Sequence, residues 1–185
     1  NRGTVTIVFQ SVGDSTKRML DLNEGDYFED FVGPLGNPSD LIEKTPEELN
    51  AMNIIFIAGG VGTAPVYPQV KYLGARTKDL IILEDEMKKV ATNLYIATDD
   101  GSYGFKGNAS QCLEDLVSNQ GKQYHYAVII GPMIMMKFVS LLTKELGIPT
   151  IASMNTIMVD GTGMCGACRL SVGDEIKFAC VDGPE

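Results

Sequence analysis

Two uninterrupted apolar runs, IIFIA at Ile54–Ala58 and AVII at 127–130, constrain the fold more than any other feature of the sequence. A strand with one face in water alternates apolar and polar residues. An unbroken run therefore belongs to a strand covered on both faces, as in a parallel sheet flanked by helices. The segments around the runs fit that reading. After the strand NIIFIA, the pattern predicts helices over PVYPQVKYL and LIILEDEMKKVA and a strand at NLYIATDD. A helix over NASQCLEDLVSNQ, a strand at YAVIIG, an amphipathic helix over MIMMKFVSLLTKELG stopped by Gly147, and a strand at PTIAS complete an α/β domain. One junction is out of place. A right-handed crossover should deliver a second parallel strand, yet the helix ending at Leu73 runs straight into GARTKDLI with no apolar run for it. Roughly ten residues, most simply a disordered stretch, are expected to be missing between Leu73 and Gly74, judged from ordinary strand and loop lengths.

Two further regions flank this domain. TVTIVFQSV at Thr4–Val12 alternates like a strand, GDSTKRML reads as a glycine turn with Ser15 or Thr16 capping a short helix, and EGDYFEDFVGPLG returns as a turn and another strand. Two or three strands cannot bury a sheet face alone. Residues 1–40 are thus expected to be an incomplete β domain whose first strands are missing, 41–153 the α/β domain, and 154–185 a Gly- and Cys-rich tail with a hairpin-like RLSVGDEIKFAC. A chain of 185 residues with 44% hydrophobic content has enough apolar surface for such cores. The formal net charge of -9, with no basic cluster, argues against nucleic acid as a partner. No apolar run approaches the roughly 20 residues of a membrane span. Four cysteines without a signal-peptide pattern fit a reducing cytoplasm, where clustered thiols suggest metal.

The loop AGGVGTAP follows an apolar strand and opens a helix, where open α/β sheets bind ligands. Gly59, Gly60 and Gly62 let the backbone approach a pyrophosphate, whose charge suits the N–H groups of the helix start. The loop is not the G-x-G-x-x-G fingerprint, because Pro65 stands where a third glycine would fall, and a glycine turn serving only tight strand–helix packing is the alternative. Arg76 and Lys78 of GARTKDLI stand where the adenosine end of a dinucleotide would lie, either to hold a 2′-phosphate or as solvated charges. TDDGSYGFKG follows the next strand and is expected to line the same cleft, an ordinary polar turn being the alternative; IGPM closes the following strand at the same sheet edge, from which Gly131 and Pro132 could approach a nicotinamide.

In the tail, Cys165 and Cys168 are spaced C-x2-C and Cys180 follows. Three thiolates are one ligand short of a set of four. Asp160, Cys112 and His125 are the candidates for the fourth. Asp160 gives D-x4-C-x2-C-x11-C, which overlays the plant-type [2Fe-2S] spacing with a carboxylate in the first position. Cys112 reads better as a small buried residue of a helix, and His125 as a packing or surface residue. A structural zinc site of three cysteines with an aspartate or histidine is the alternative for the tail.

Taken together, VGPLG, GGVGTAPVYPQ, GARTKDL, TDDGSYG, GPM and D-x4-C-x2-C-x11-C resemble the ferredoxin reductase-like electron-transfer subunits that accompany a larger flavoenzyme. Within that group the chain resembles the small subunit of NADH-dependent ferredoxin:NADP oxidoreductase, or sulfide dehydrogenase, and, as the alternative, the related dihydroorotate dehydrogenase electron-transfer subunit, which serves pyrimidine biosynthesis. The resemblance implies a parallel-sheet NAD(P)-binding domain, a remnant of an antiparallel FAD-binding β-barrel at 1–40, and a small C-terminal [2Fe-2S] segment. It implies FAD phosphates at Gly13, Ser15 and Thr16, and NAD(P)H at Gly59, Gly60, Val61, Gly62, Thr63, Arg76 and Asp99, with Gly131 and Pro132 at the redox end. Cluster ligands map to Asp160, Cys165, Cys168 and Cys180. The implied function is a cytoplasmic oxidoreductase subunit passing electrons among NAD(P)H, FAD and the cluster to a larger flavoprotein, with the piece spanned here inactive alone. No acid–base residue is required. A non-redox nucleotide-binding module with structural zinc is the alternative from another class.

Overall fold

The computed structural model describes residues 3–73 and 83–185. The chain divides into two compact units, Asn1–Pro34 and Leu35–Glu185. In the first, the regular element is helix α1, Asp14–Leu20. Thr16 builds its start: the hydroxyl oxygen accepts from the N–H groups of Val12 and Gly13, both at 3.0 Å, and donates to the Gly13 carbonyl. The strands expected at Thr4–Val12 and within EGDYFEDFVGPLG are not formed. A strand exists through its ladder, and among the described residues of this unit no neighbour supplies one. None of those residues is buried.

The second unit opens with helix α2, Pro46–Ala51, whose start is a capping box: Thr45 N–H donates to the Glu48 carboxylate at 2.7 Å, and Glu48 N–H donates to the Thr45 hydroxyl. Strand β1 (Ile54–Ala58), helix α3 (Thr63–Leu73) and helix α4 (Glu84–Val90) follow, then short strands β2 (Ala97–Thr98) and β3 (Phe105–Lys106) and helix α5 (Ala109–Glu114). Strand β4 (Tyr126–Ile130), helix α6 (Met133–Glu145) and strand β5 (Thr150–Ser153) complete the α/β body, and strands β6 (Arg169–Val172) and β7 (Glu175–Phe178) form the tail hairpin.

The parallel sheet runs β1–β4–β5. Its unbroken apolar strands have the expected cause. Alternate side chains go to opposite faces: Ile55, Ile57, Ala127 and Ile129 pack on Leu113, Leu116 and Val139 of the α5–α6 side, whereas Ile54, Phe56, Val128 and Ile130 pack on Val66, Val70 and Met87. Each fully buried Ile or Phe contributes about 1.5–3 kcal/mol.

Three expectations need correction. NLYIATDD does not form one continuous strand: it has a single bridge at Leu94 and a two-residue ladder at Ala97–Thr98, the latter in a separate two-stranded sheet with β3. The helix expected over LIILEDEMKKVA starts at Glu84, after Leu83 in the left-handed region (φ 64°); Leu80, Ile81 and Ile82 lie outside the described residues, as does the junction at Gly74. Helix α6 is less amphipathic than its pattern suggests. It buries Met136, Val139 and Thr143 but also exposes Met133, Ile134, Phe138 and Leu141. Its stop is as expected: Gly147 takes φ 68°, its N–H reaching Lys144 O, while Ile148 N–H reaches Thr143 O at 2.8 Å.

The tail has a small core of its own, Cys168, Ala179 and Cys180 against Leu170 and Phe178. Backbone bonds tie it to the α/β body: Met154 N–H donates to Pro184 O and Asn37 N–H to Gly183 O. Gln69 Nε2 adds a bond to Glu185 Oε1 at 2.9 Å. Among the described residues no helix is long and apolar enough to cross a membrane.

Candidate functional site

A cleft of about 720 Å³ opens at the carboxyl end of β1. Gly59, Gly60, Asp99 and Pro132, all expected at a nucleotide site, line it. Val61 is exposed, while Gly62, Thr63 and Gly131 are buried. The glycines divide into two kinds. A Cβ on Gly62 would lie 2.6 Å from Ile130 O, one on Gly131 2.8 Å from Gly59 N, and one on Gly59 2.8 Å from Pro132 Cδ. These three close the seam between the first loop and the end of β4, which Gly59 N–H reinforces by donating to Ile130 O at 2.9 Å. Packing alone explains them. Gly60 differs: it takes φ 56° and a Cβ there would meet nothing within 4 Å, so its backbone stands open at the cleft mouth.

Thr63 directs its hydroxyl inward, donating to Gly60 O at 2.8 Å, and so fixes the loop's curvature. No acidic residue stands in the first turn of α3, which suits an anion at the helix start. The start of α1 is less suited, since Asp14 occupies its first turn and the Thr16 hydroxyl is engaged in the cap beside Gly13 and Ser15. Arg76 and Lys78 lie outside the described residues.

Ile134, Met135 and Phe138 of α6, with Asn108 and Ser110, form a cleft wall that the sequence reading missed. The available signal was apolar residues in IGPMIMMKF on more faces than one buried stripe requires.

At the hairpin, Cys168 and Cys180 are buried with sulfurs 3.2 Å apart, sharing a hydrogen bond. Hydrogen bonding from the Cys180 backbone and thiol lowers the Cys168 pKa, and the shared proton raises that of Cys180. Cys165 is exposed, and its sulfur accepts from Ala167 N–H at 3.4 Å. Asp160 turns to its own loop: Oδ1 accepts from the Thr162 N–H (2.5 Å) and hydroxyl (2.6 Å), and Oδ2 from Cys165 N–H (2.8 Å). Thr162 first, then Cys165, hold this carboxyl far below the usual range. The four expected ligands therefore do not converge. Among the described residues no three His, Cys, Asp or Glu side chains stand together as a metal cage. The structure brings two sulfurs together and keeps Asp160 and Cys165 linked to each other on the adjoining loop, because three nearby donors satisfy the carboxylate locally.

The donor set nonetheless suits a soft metal cluster: two sulfurs at chelating distance, a third with a backbone N–H donor, and one oxygen. Cys112 and His125 take the roles expected of them. Cys112 is buried in the core, and His125 joins the starts of β1 and β4, its Nδ1 accepting from Asn53 N–H at 2.8 Å.

Residues 155–185 match the iron-sulfur cluster binding domain of dihydroorotate dehydrogenase B. A protein of Clostridium beijerinckii is 64% identical over 195 positions, covering all of this chain and 66% of the relative. That alignment exceeds the 185 residues present, so at least ten positions of the relative face gaps inside this chain. A dihydroorotate dehydrogenase B electron transfer subunit homolog of Thermotoga maritima is 43% identical over 99% of this chain and 65% of its own length. The electron transfer subunit of that name in Clostridium perfringens is 30% identical over the whole chain and 74% of its length. Among solved structures, a chain from work on flavin-based electron bifurcation by the NADH-dependent reduced ferredoxin-NADP oxidoreductase is 40% identical with a TM-score of 0.76, covering 95% of this chain and 64% of that one. The chain thus spans about two thirds of the length of these relatives. It belongs to the family of dihydroorotate dehydrogenase B electron-transfer subunits and their homologues.

Proposed function

We propose that this chain is the nucleotide- and cluster-binding part of an electron-transfer subunit that moves electrons among NAD(P)H, FAD and a [2Fe-2S] cluster and on to a larger flavoprotein partner, as in NADH-dependent ferredoxin:NADP oxidoreductase. The observation that carries this is the Cys168–Cys180 sulfur pair, 3.2 Å apart, within the segment matching the iron-sulfur domain. The bound groups would supply one conversion, from the paired electrons of a hydride to single electrons.

The chain's own residues would hold and orient them. The open backbone at Gly60 and the start of α3 receive the dinucleotide's diphosphate, with Val61, Gly62 and Thr63 shaping the loop. Asp99, exposed at the opposite lip, offers an acceptor for sugar hydroxyls, and Pro132, with Gly131 buried beside it, marks the nicotinamide end. Arg76 remains the candidate for the adenosine end. Cys168 and Cys180 hold one side of the cluster, while Cys165 and Asp160 complete the set by exchanging their local hydrogen bonds for metal. Gly13, Ser15 and Thr16, at the start of α1, remain the FAD candidates.

Anaerobic reconstitution with ferrous iron and sulfide tests the reading. Equal iron and sulfide, a red-brown absorption and a reduced-state electron paramagnetic resonance signal are expected. A colourless protein that takes up only zinc would sink it in favour of the structural-zinc alternative. A second reading, electron delivery to dihydroorotate dehydrogenase, is favoured by the names of the curated relatives. The large subunit that co-purifies with the native protein decides between them.

A further inference from the structure

The tail hairpin places two of its three sulfurs in one small core. Cys168 and Cys180 are 2% and 7% exposed, pack with Ala179 against Leu170 and Phe178, and hold their sulfurs 3.2 Å apart. Backbone bonds fix both sides of the pair. Ala179 N–H donates to Cys168 O at 3.3 Å, and Val181 N–H to Phe178 O at 2.9 Å, so Cys180 sits on a turn directly after the β6–β7 ladder. Asp182 tightens the same turn, its N–H donating to Phe178 O and its Oδ2 accepting from Phe178 N–H at 2.7 Å. Bonded sulfurs lie about 2.05 Å apart, so joining these two takes a closure of roughly 1 Å. Cys165 is engaged elsewhere: it is exposed, its N–H donates to Asp160 Oδ2 at 2.8 Å, and its sulfur accepts from Ala167 N–H. The C-x2-C spacing taken alone would name Cys165 and Cys168 as a redox pair. The hairpin brings together Cys168 and Cys180 instead.

We infer that Cys168 and Cys180 are a modification site: in the metal-free chain a peroxide joins them in a reversible disulfide, which closes the cluster site until a dithiol reopens it. Cys180, the less buried of the two, reacts first as the hairpin opens locally. Its sulfur attacks a peroxide oxygen, an S–O bond forms as the O–O bond breaks, and one water leaves with the thiol proton. The Cys168 sulfur then attacks the Cys180 sulfur; the S–S bond forms, the S–O bond breaks, and the departing hydroxide takes the Cys168 proton as a second water. Two electrons pass from the sulfur pair to the peroxide. The linked pair withholds two of the four proposed ligands, and neither sulfur can proceed to the sulfinic and sulfonic acids that a dithiol does not reverse. Only the closing of the site rests on the reading of these thiols as cluster ligands; the disulfide itself does not.

Reduced, metal-free full chain, titrated with hydrogen peroxide, alkylated in denaturant and cut after Arg169 and Lys177, tests this. That cleavage leaves Cys165 and Cys168 on one peptide and Cys180 on another. Two of the four cysteines are expected to escape alkylation, with the two peptides joined. Cys165→Ser, a change at an exposed thiol, should form the same link within about twofold of the parent's rate. A link confined to the Cys165–Cys168 peptide, loss of the link in Cys165→Ser, or oxidation of Cys165 alone overturns the site. Ferrous iron and sulfide are then offered to linked and dithiol-reduced chain, and the linked chain should take up at least about tenfold less iron. Equal uptake by both overturns the closing of the site. A chain that forms the link yet takes up no iron even after reduction supports the disulfide and overturns the cluster reading.

Discussion

Replacing single glycines with alanine separates the packing role of the first loop from its role toward a ligand. At Gly62 the new Cβ would lie 2.6 Å from the Ile130 carbonyl oxygen, nearly 1 Å inside ordinary contact, and its neighbour is backbone at the end of a buried strand. Overpacking of that kind costs about 1–3 kcal/mol, or a melting temperature lower by roughly 3–10 °C for a chain of this length. At Gly60 the cost has another source. The methyl group meets nothing within 4 Å, but φ 56° places an L-residue in the left-handed region at about 1–2 kcal/mol. Gly147, with φ 68° and equally open surroundings, carries the same strain at the end of α6 and does not line the cleft. Gly60→Ala and Gly147→Ala should therefore lose similar stability. Only Gly60→Ala should weaken dinucleotide binding, by about tenfold or more, equivalent to roughly 1.4 kcal/mol. Calorimetric titration with NADH and with NADPH, alongside melting curves of all three variants, reads both effects. If Gly60→Ala binds as tightly as the parent, or Gly147→Ala loses affinity equally, the loop is a packing device and the diphosphate assignment fails.

Cys180→Ser should abolish uptake of equal iron and sulfide on reconstitution while leaving the α/β body folded, as the far-ultraviolet dichroism would show; retained cluster would remove Cys180 from the ligand set. Asp160→Cys should keep the cluster and shift its midpoint potential, since an oxygen donor gives way to a softer thiolate; an unchanged potential with unchanged pH dependence counts against Asp160 as a ligand. Thr45→Ala should cost about 1 kcal/mol by removing the side-chain half of the α2 capping box. The Thr45 backbone N–H lowers the Glu48 pKa, so Glu48 stabilises the folded state above its unfolded value near pH 4.5, and the contribution fades as pH falls through the lower folded value. Urea midpoints of Glu48→Gln and the parent should converge over that acid range.

How far the sequence disclosed this molecule depends on where each signal is held. Ile54–Ala58 and 127–130 disclosed a two-sided parallel sheet because burial of both faces is written into consecutive residues, and the faces alternate as that pattern requires. Gly147 marked the end of α6 because a helix stop is local chemistry. Thr4–Val12 misled for the complementary reason: alternation states what a strand would present, whereas its ladder depends on a neighbour elsewhere in the chain. NLYIATDD shows the same limit, with a bridge at Leu94 and a ladder of two residues at Ala97–Thr98. At the site, the C-x2-C spacing picked out the right loop, but not that Cys168 would pair with Cys180 across a hairpin while Cys165 stayed with Asp160. The β6–β7 register sets Arg169 against Phe178 and so brings Cys168 level with Ala179, and the turn after Phe178, where Val181 N–H donates to Phe178 O, brings Cys180 back to it. The cysteine-rich segment was therefore legible in residue type and spacing, whereas the grouping of its side chains was decided by turns on either side of the hairpin, and the glycine loop divided by the same logic: packing against the end of β4 and the start of α6 governs Gly59 and Gly62, and Gly60 keeps open space around it.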